Sequence, residues 1–181
     1  KVMSLKTRFG NLGNILDFNN LTEENIYVLN SPILTNNQFE KFVSFFDKNN
    51  KTIDCTFNSD ENIESKLNSI KQEAEIYVRQ GVTQIILSDK NVSKENYPVP
   101  MLLCIGAVHT HLTKMKLRGY VSINVQTGEA LDTHSFATLI GVGATTVNPY
   151  LALDSLYQRF EKKLFGKFLY EECVERYVKS V

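Results

Sequence analysis

The chain has 181 residues, 43% of them hydrophobic and 22% charged, which is the composition of a globular domain and not of a disordered segment. Twenty lysine and arginine residues balance twenty aspartate and glutamate residues, which argues against a nucleic-acid partner because nucleic-acid-binding domains carry a basic excess. The apolar runs are far shorter than the roughly 20 residues of a membrane span, and no basic segment followed by an apolar stretch opens the chain, so we expect neither a membrane partner nor a secretory signal.

Strands and helices are predicted to alternate along most of the chain. Residues 1–25 are polar and contain turn glycines, so they predict an arm or loop. Short apolar, β-branched runs then predict five strands, at 26–29, 52–57, 83–87, 120–126 and 144–148. Between and after them, apolar residues at spacings of three and four predict helices that begin near 36, 59, 100, 132 and 150. A last helix is predicted over residues 162–178.

This alternation predicts an α/β fold of repeated β-α units with parallel strands, because parallel neighbours require crossover helices. The units are fewer than the eight of a closed barrel. We therefore expect an incomplete or modified (β/α) barrel with an extra C-terminal helix, and an open wound parallel sheet is the alternative. The predicted domain organisation is an arm at 1–25, a β/α domain at 26–160, and a C-terminal helix at 161–181 that leads toward a following domain.

Candidate functional residues follow from the rule that parallel α/β folds place their sites at the carboxyl ends of the strands. The positions predicted at those ends are 30–31, Asp54, 88–89, 126–129 and Asn148, and the candidates among them are Asp54, Ser88, Asp89, Glu129 and Asn148. Three acidic residues on one rim raise the alternative of a free-standing barrel-like enzyme that binds Mg²⁺ there. The same residue types also cap helices and close turns, so a structural role is the other interpretation.

Other chemistry-bearing residues give no motif. His109 and His111 are two residues apart on a predicted helix and do not share a face, and His134 lies on the next helix. The odd set of three distant cysteines excludes a disulfide framework and a CxxC-type site, and we expect buried thiols in a reducing compartment. No GxSxG elbow or dinucleotide loop is present. Residue patterns alone therefore name no reaction.

Ten short stretches are nevertheless distinctive, and they follow one another as LKTRFGNLGNIL (5–16), SPIL (31–34), TIDCTF (52–57), ILSD (86–89), PVPMLL (98–103), GAVHTHL (106–112), TGEA (127–130), DTHSFA (132–137), LIGVGA (139–144) and VNPYLA (147–152). Together they resemble the central domain of the glutamate synthase large subunit, NADPH- or ferredoxin-dependent, over nearly the whole chain. The departures are His109-Thr110-His111, where three histidines in a row are common, and a polar insert at 18–25.

The resemblance implies that a parent enzyme converts glutamine and 2-oxoglutarate into two glutamates. Such enzymes release ammonia at an amino-terminal cysteine, carry it through an internal tunnel, and use it at a flavin mononucleotide (FMN) site that receives electrons through a 3Fe-4S cluster. Lys1 does not match that cysteine, and the spacing of the three cysteines does not match a cluster. The resemblance thus implies no catalytic, cofactor-binding or metal residues here, but a domain that links the glutaminase and FMN domains and lines the tunnel.

The five strand-end residues Asp54, Ser88, Asp89, Glu129 and Asn148 are the candidates for facing the other domains or the tunnel. The implied partners are the other domains of the same polypeptide and an electron-donor subunit or ferredoxin. The implied location is the cytoplasm, with the plastid as the alternative. A third hypothesis is a protein-interaction module that docks through residues 162–178.

Overall fold

The computed structural model describes residues 5–10 and 26–181, which divide into two compact units between Pro32 and Ile33. In the first unit, β1 (Thr7–Phe9) pairs antiparallel with β2 (Tyr27–Leu29). The prediction of 26–29 as the first strand of the parallel series is therefore wrong, since β2 pairs with β1 in the antiparallel sense. The prediction of a loop is wrong for Thr7–Phe9, and residues 1–4 and 11–25, with Gly13 and the insert at 18–25, lie outside the described residues.

The second unit contains six strands, which are β3 (Asn50–Asp54), β4 (Thr56–Asn58), β5 (Gln84–Ser88), β6 (Asn96–Pro98), β7 (Ser122–Gln126) and β8 (Thr146–Asn148). Its helices are α1 (Asn36–Phe46), α2 (Ile63–Arg79), α3 (Met101–Lys114), α4 (Thr133–Val142), α5 (Tyr150–Glu161) and α6 (Tyr170–Ser180). Four strands form one parallel sheet in the order β3-β5-β7-β8. The predicted α/β class with parallel strands is confirmed, and the sheet is open and not a closed barrel.

The strand order follows the chain without a reversal, as in a segment of a barrel and unlike a doubly wound sheet. Consequently α2, α3 and α4 are consecutive crossovers, and each contacts the next. They pack on one face of the sheet, against the alternate apolar residues of the strands, such as Ile85, Leu87 and Ile123. Ile70, Ala74 and Val78 recur every fourth residue on α2 and are buried in this core.

Helix α1 lies across the opposite face of the sheet. At its start, Asn148 Nδ2 on β8 donates to Asn36 Oδ1 over 3.0 Å, and near its end Asn50 Nδ2 on β3 donates to the Val43 carbonyl over 2.9 Å. Its N-cap is Thr35 in a capping box with Gln38, so α1 begins at Asn36, where the apolar spacing predicts a helix. In a closed barrel, the inner face of each strand is covered by the strands on the other side of the barrel. This sheet is open, and α1 covers its inner face instead.

The predicted strand at 52–57 is two strands that separate at Cys55. The Asp54 carboxylate accepts from the Thr56 backbone N–H over 2.9 Å and from its hydroxyl over 2.8 Å, and this local turn redirects the chain. Beyond it, β4 leaves the parallel sheet and pairs antiparallel with β6. One apolar run therefore belongs to two sheets.

The C-terminal helix begins at Tyr170 and not at 162. The preceding segment turns through Lys163 and Gly166, which both have positive φ angles of 57° and 65° and so interrupt a helix. On α6, the Tyr177 ring packs against Phe136 at 6.4 Å, and its hydroxyl donates to the Leu131 carbonyl. This face of α6 packs against the rest of the second unit. Less of the helix surface is therefore available to dock another protein, as the interaction-module hypothesis requires. No helix in the described part of the chain has the length and apolar character needed to cross a membrane.

Candidate functional site at the carboxyl edge of the sheet

The inner face of the sheet carries a buried row of polar side chains, one from each of three strands. Asn124 Nδ2 on β7 donates to Gln84 Oε1 on β5 over 3.1 Å, and Thr146 Oγ1 on β8 donates to Asn124 Oδ1 over 2.8 Å. All three residues are buried. We call Gln84, Asn124 and Thr146 the inner row; its members satisfy one another, as buried polar groups must.

A second row lies at the carboxyl edge, two residues beyond the inner row on β7 and β8 and four residues beyond it on β5. Ser88 Oγ donates to Gln126 Oε1 over 2.9 Å, and Gln126 Nε2 donates to Asn148 Oδ1 over 3.3 Å. Asn148 Nδ2 donates in turn to Asn36 Oδ1 and to the Leu34 carbonyl, both over 3.0 Å. This edge row, Ser88-Gln126-Asn148-Asn36, joins three strands to the first turn of α1.

Asp89, directly after β5, is buried and holds the loop that follows β7. Its carboxylate accepts from the Thr127 hydroxyl over 2.5 Å and from the Gly128 N–H over 3.1 Å. The pKa of Tyr150 lies well above its ordinary value. The main cause is burial, followed by the negative charge of Asp89 and the hydrogen bond between Tyr150 and Asp89, which all disfavour the charged phenolate. A Cβ atom at Gly128 would lie 3.2 Å from the Tyr150 hydroxyl. Asp89 is thus the acceptor of a closely packed loop junction.

Asp54 ends β3 and holds two different segments. Besides the Thr56 bonds, its Oδ2 accepts from Asn91 Nδ2 over 2.9 Å. Burial raises the pKa of Asp54, but the hydrogen bonds from Asn91 and Thr56 outweigh it, so the pKa lies below its ordinary value. Thr56 and Asn91 therefore stabilise the charged carboxylate, and the same hydrogen bonds hold their two segments in place.

Glu129 acts at the start of α3. Its Oε2 accepts from the Met101 backbone N–H over 2.9 Å, while the preceding Pro100 gives no side-chain cap. The first turn of a helix leaves N–H groups without an intrahelical partner, and an acidic acceptor there also suits the helix dipole. Glu129 therefore supplies the cap from the neighbouring β-α unit.

The predicted residues divide into separate groups. Ser88 and Asn148 share the edge row, whereas Asp54, Asp89 and Glu129 each accept hydrogen bonds from a different set of donors. Over residues 5–10 and 26–181, no group of three or more histidine, cysteine or acidic side chains converges to hold a metal ion. The arrangement does not fit the magnesium rim of the alternative hypothesis.

The histidines and cysteines are engaged separately. His111 Nε2 on α3 lies 2.6 Å from Glu75 Oε2 on α2, and His109 Nδ1 accepts from Arg118 Nε over 3.1 Å. The three cysteines are buried free thiols. A hydrogen bond with Cys104, followed by burial, raises the pKa of Cys55 well above its ordinary value. Within the part of the chain that the structure describes, the three thiols do not converge on one point, so this arrangement does not fit a three-cysteine cluster.

The residues of the two rows and the Asp89 junction that were not among the sequence candidates include Gln84, Asn124, Asn36 and Tyr150. For Asn124 the sequence carried a signal, because polar residues alternate with apolar ones in Ser122–Gln126 and Thr146–Asn148. In Gln84–Ser88 only the two end residues are polar, so Gln84 had no such signal. The polar residues of these strands form a face of the sheet that is largely buried.

A cavity of about 340 Å³ opens between α1 and the edge row. Its walls include Phe39 and Glu40 of α1, and Lys90, Gln126 and Asn148 from the ends of the strands and the loop after β5. It lies where parallel α/β folds bind their ligands.

Comparison with known proteins gives one consistent result. The sequence model of the family described as glutamate synthase central domain matches residues 1–181. The glutamate synthase [NADPH] large chain of Azospirillum brasilense is 45% identical over 184 residues, which cover 100% of this chain and 12% of that protein. The corresponding protein of Bacillus subtilis is 40% identical over 84% of this chain and 10% of its own length. The chloroplastic ferredoxin-dependent glutamate synthase of Spinacia oleracea is 36% identical over 87% and 10%. The chain thus spans about a tenth of the length of these relatives.

Proposed function

This chain belongs to the family of glutamate synthase central domains, and from that premise we propose that it is the linking domain of a glutamate synthase and catalyses no reaction by itself. Its proposed role is to hold a glutaminase domain and an FMN-binding synthase domain of the same polypeptide at a fixed separation. The overall reaction would be the conversion of glutamine and 2-oxoglutarate into two glutamates.

The observation that carries this proposal is how the carboxyl edge uses its polar groups. Asp54, Asp89 and Glu129 each accept hydrogen bonds from neighbouring loops or from a helix start. These three carboxylates join β-α units to one another, which supports a structural role for them. Such an edge is suited to a rigid spacer.

We further propose that this edge contributes to the wall of an ammonia tunnel, with Asp54, Ser88, Asp89, Glu129 and Asn148 as the tunnel-facing candidates. Ammonia that reaches bulk water at neutral pH becomes ammonium and loses its lone pair, so a closed path preserves its reactivity. Of the five, Glu129 is exposed, whereas Ser88, Asp89 and Asn148 are buried. Glu129 is therefore the candidate most open to a neighbouring domain.

The cofactors of the proposed parent enzyme, FMN and a 3Fe-4S cluster, belong to its other domains. The electron donor would be a pyridine-nucleotide subunit or ferredoxin. The proposed location is the cytoplasm, as for a bacterial enzyme, with the plastid as the alternative, since the spinach relative is named chloroplastic.

The test uses the full-length enzyme and counts glutamine hydrolysed per glutamate formed. We expect Glu129→Trp, which adds bulk at the edge, to raise this ratio and to release ammonia into the medium. Glu129→Gln, which keeps an acceptor for the Met101 N–H, should leave the ratio at its wild-type value. Gln80→Trp, at the exposed C-terminal end of α2, is the control for bulk at the other edge.

Two results would contradict the proposal. If the 181-residue chain alone hydrolysed glutamine, the claim that it is not catalytic would fail. If Glu129→Trp and bulky variants at the other four candidates all kept the wild-type ratio, the tunnel-wall assignment would fail while the linking role would stand.

A further inference from the structure

The cavity beside α1 has two walls of different character. Asn36, Phe39, Glu40 and Val43 lie on one face of α1, because residues three and four apart are neighbours on a helix. The facing wall is formed by Lys90 and by Gln126 and Asn148 of the edge row. The volume of about 340 Å³ is at the lower end of the range for small-molecule sites, roughly 300–1,000 Å³.

The cavity carries one acidic and one basic side chain that do not neutralise each other. Glu40 and Lys90 both line it. Neither forms an ion pair with another residue of the described part of the chain. Both are exposed enough to pair across the cavity with a ligand that carries the opposite charges.

The floor of the cavity is held in place before any ligand arrives. Gln126 Oε1 accepts from Ser88, and Asn148 is bonded on both its oxygen and its nitrogen. Gln126 Nε2 uses one of its two hydrogens for Asn148, so the second can be donated to a ligand. Preorganised donors lower the entropic cost of binding.

The two charges suit different ends of a ligand. A ligand carboxylate is favoured near Lys90 and the Gln126 amide, which both line the cavity. A ligand ammonium is favoured near Glu40 on the α1 wall. The ring of Phe39 and the side chain of Val43 also line the cavity, and these apolar groups suit methylene groups.

From this arrangement we propose that the cavity binds a short linear zwitterion of the ω-amino acid class, in which a few methylenes separate a carboxylate from an ammonium group. Lys90 and Gln126 hold the carboxylate, Glu40 holds the ammonium, and Phe39 packs on the methylenes. The proposal does not rest on the linking role, since it uses only the residues of this cavity.

The test is a titration of the 181-residue chain with a length series, glycine, β-alanine, γ-aminobutyrate and 5-aminovalerate, followed by the ¹H–¹⁵N signals of the Gln126 and Asn148 side-chain amides. We expect γ-aminobutyrate and 5-aminovalerate to shift these signals saturably, and glycine to bind at least about tenfold more weakly. Lys90→Met and Glu40→Gln should each weaken binding about tenfold, whereas Lys94→Met, an exposed lysine on the same loop, should change nothing.

Three outcomes would overturn the proposal. The first is the absence of any saturable shift with the whole series at millimolar concentration. The second is equal binding of butyrate or butylamine, which carry only one of the two charges. The third is unchanged binding in both Lys90→Met and Glu40→Gln. Because both replaced side chains are exposed, unchanged backbone spectra of the variants would confirm that they remain folded.

Discussion

The hydroxyl of Thr146 donates a hydrogen bond to the side-chain oxygen of Asn124 over 2.8 Å in a part of the sheet where both residues are fully buried. The same Asn124 donates its amide hydrogens to Gln84 and to the Ile85 carbonyl. Asn124 is therefore bonded through both its side-chain oxygen and its amide group, and both side-chain bonds of the inner row depend on it.

Replacement of the central member should be costly. Asn124→Ala leaves the Gln84 oxygen and the Thr146 hydroxyl buried without partners, so we expect the free energy of unfolding to fall by about 2–4 kcal/mol. Urea unfolding followed by circular dichroism measures this change. Asn68→Ala, an exposed asparagine on α2, is the control and should stay within about 0.5 kcal/mol of wild type. Equal stability of the two variants would contradict the structural role of the inner row.

Two nearby glycines should respond in opposite directions. Gly143 has φ of 133°, and a Cβ atom there would lie 2.6 Å from His109 Nδ1, so Gly143→Ala should destabilise the fold by more than about 1 kcal/mol. Gly141, inside α4, has open space around it, and Gly141→Ala should stabilise by about 0.5–1 kcal/mol. Thermal unfolding of both variants checks the signs. If the clash dominates, adding His109→Ala to Gly143→Ala should recover part of the loss.

The junction at Asp89 makes a linked prediction for stability and titration. Asp89→Asn replaces one carboxylate oxygen by an amide donor, which would face the Thr127 hydroxyl or the Gly128 N–H, themselves donors. We expect the free energy of unfolding to fall by about 2–3 kcal/mol. The same change removes the negative charge that helps to raise the pKa of Tyr150, so this pKa should fall, while burial keeps it above its ordinary value. NMR titration of ring-labelled Tyr150 measures the shift. An unchanged Tyr150 pKa would mean that Asp89 does not act on it.

The stability contributed by Asp54 should depend on pH. Its pKa is lowered in the folded state, so its contribution is present above its unfolded pKa of about 3.9 and is lost as the pH falls through the folded value. Asp54→Asn should therefore be less stable than wild type at pH 7, and the difference should shrink as the pH falls below about 4. Parallel urea titrations at several pH values measure it, and a difference independent of pH would contradict the assignment.

The thiols should be unreactive until the chain unfolds. All three cysteines are buried, and the Cys55 pKa is raised by its hydrogen bond with Cys104 and by burial, which disfavours the nucleophilic thiolate. Ellman's reagent at pH 8 should label none of them rapidly in the native protein and all three in guanidinium chloride. Fast labelling of the native chain would show that the core around Cys55 opens readily.

Much of the fold was available from local patterns. Two examples are the apolar spacing of Ile70, Ala74 and Val78 on α2 and the cap of α4 at Asp132. Each depends on a few neighbouring residues, so it can be recognised without knowing what the helix packs against. The break at Cys55 was not predicted because it depends on the Asp54–Thr56 turn and on pairing of β4 with β6. The start of α6 was misplaced because Lys163 adopts a positive φ that its residue type disfavours.

The α/β class, the parallel strands and the family could be read from the sequence, because periodicity and an ordered series of short motifs are carried by residues close together in the chain. Other features emerge only in the folded molecule: α1 covers the inner face of the sheet, Asn36 bonds to Asn148, and Asp54, Asp89 and Glu129 serve three separate junctions. Those hydrogen bonds join residues that are tens to more than a hundred positions apart in the chain. A hydrogen bond forms only when donor and acceptor lie within about 3 Å of each other, and no local pattern in the sequence indicates which distant residues will come that close.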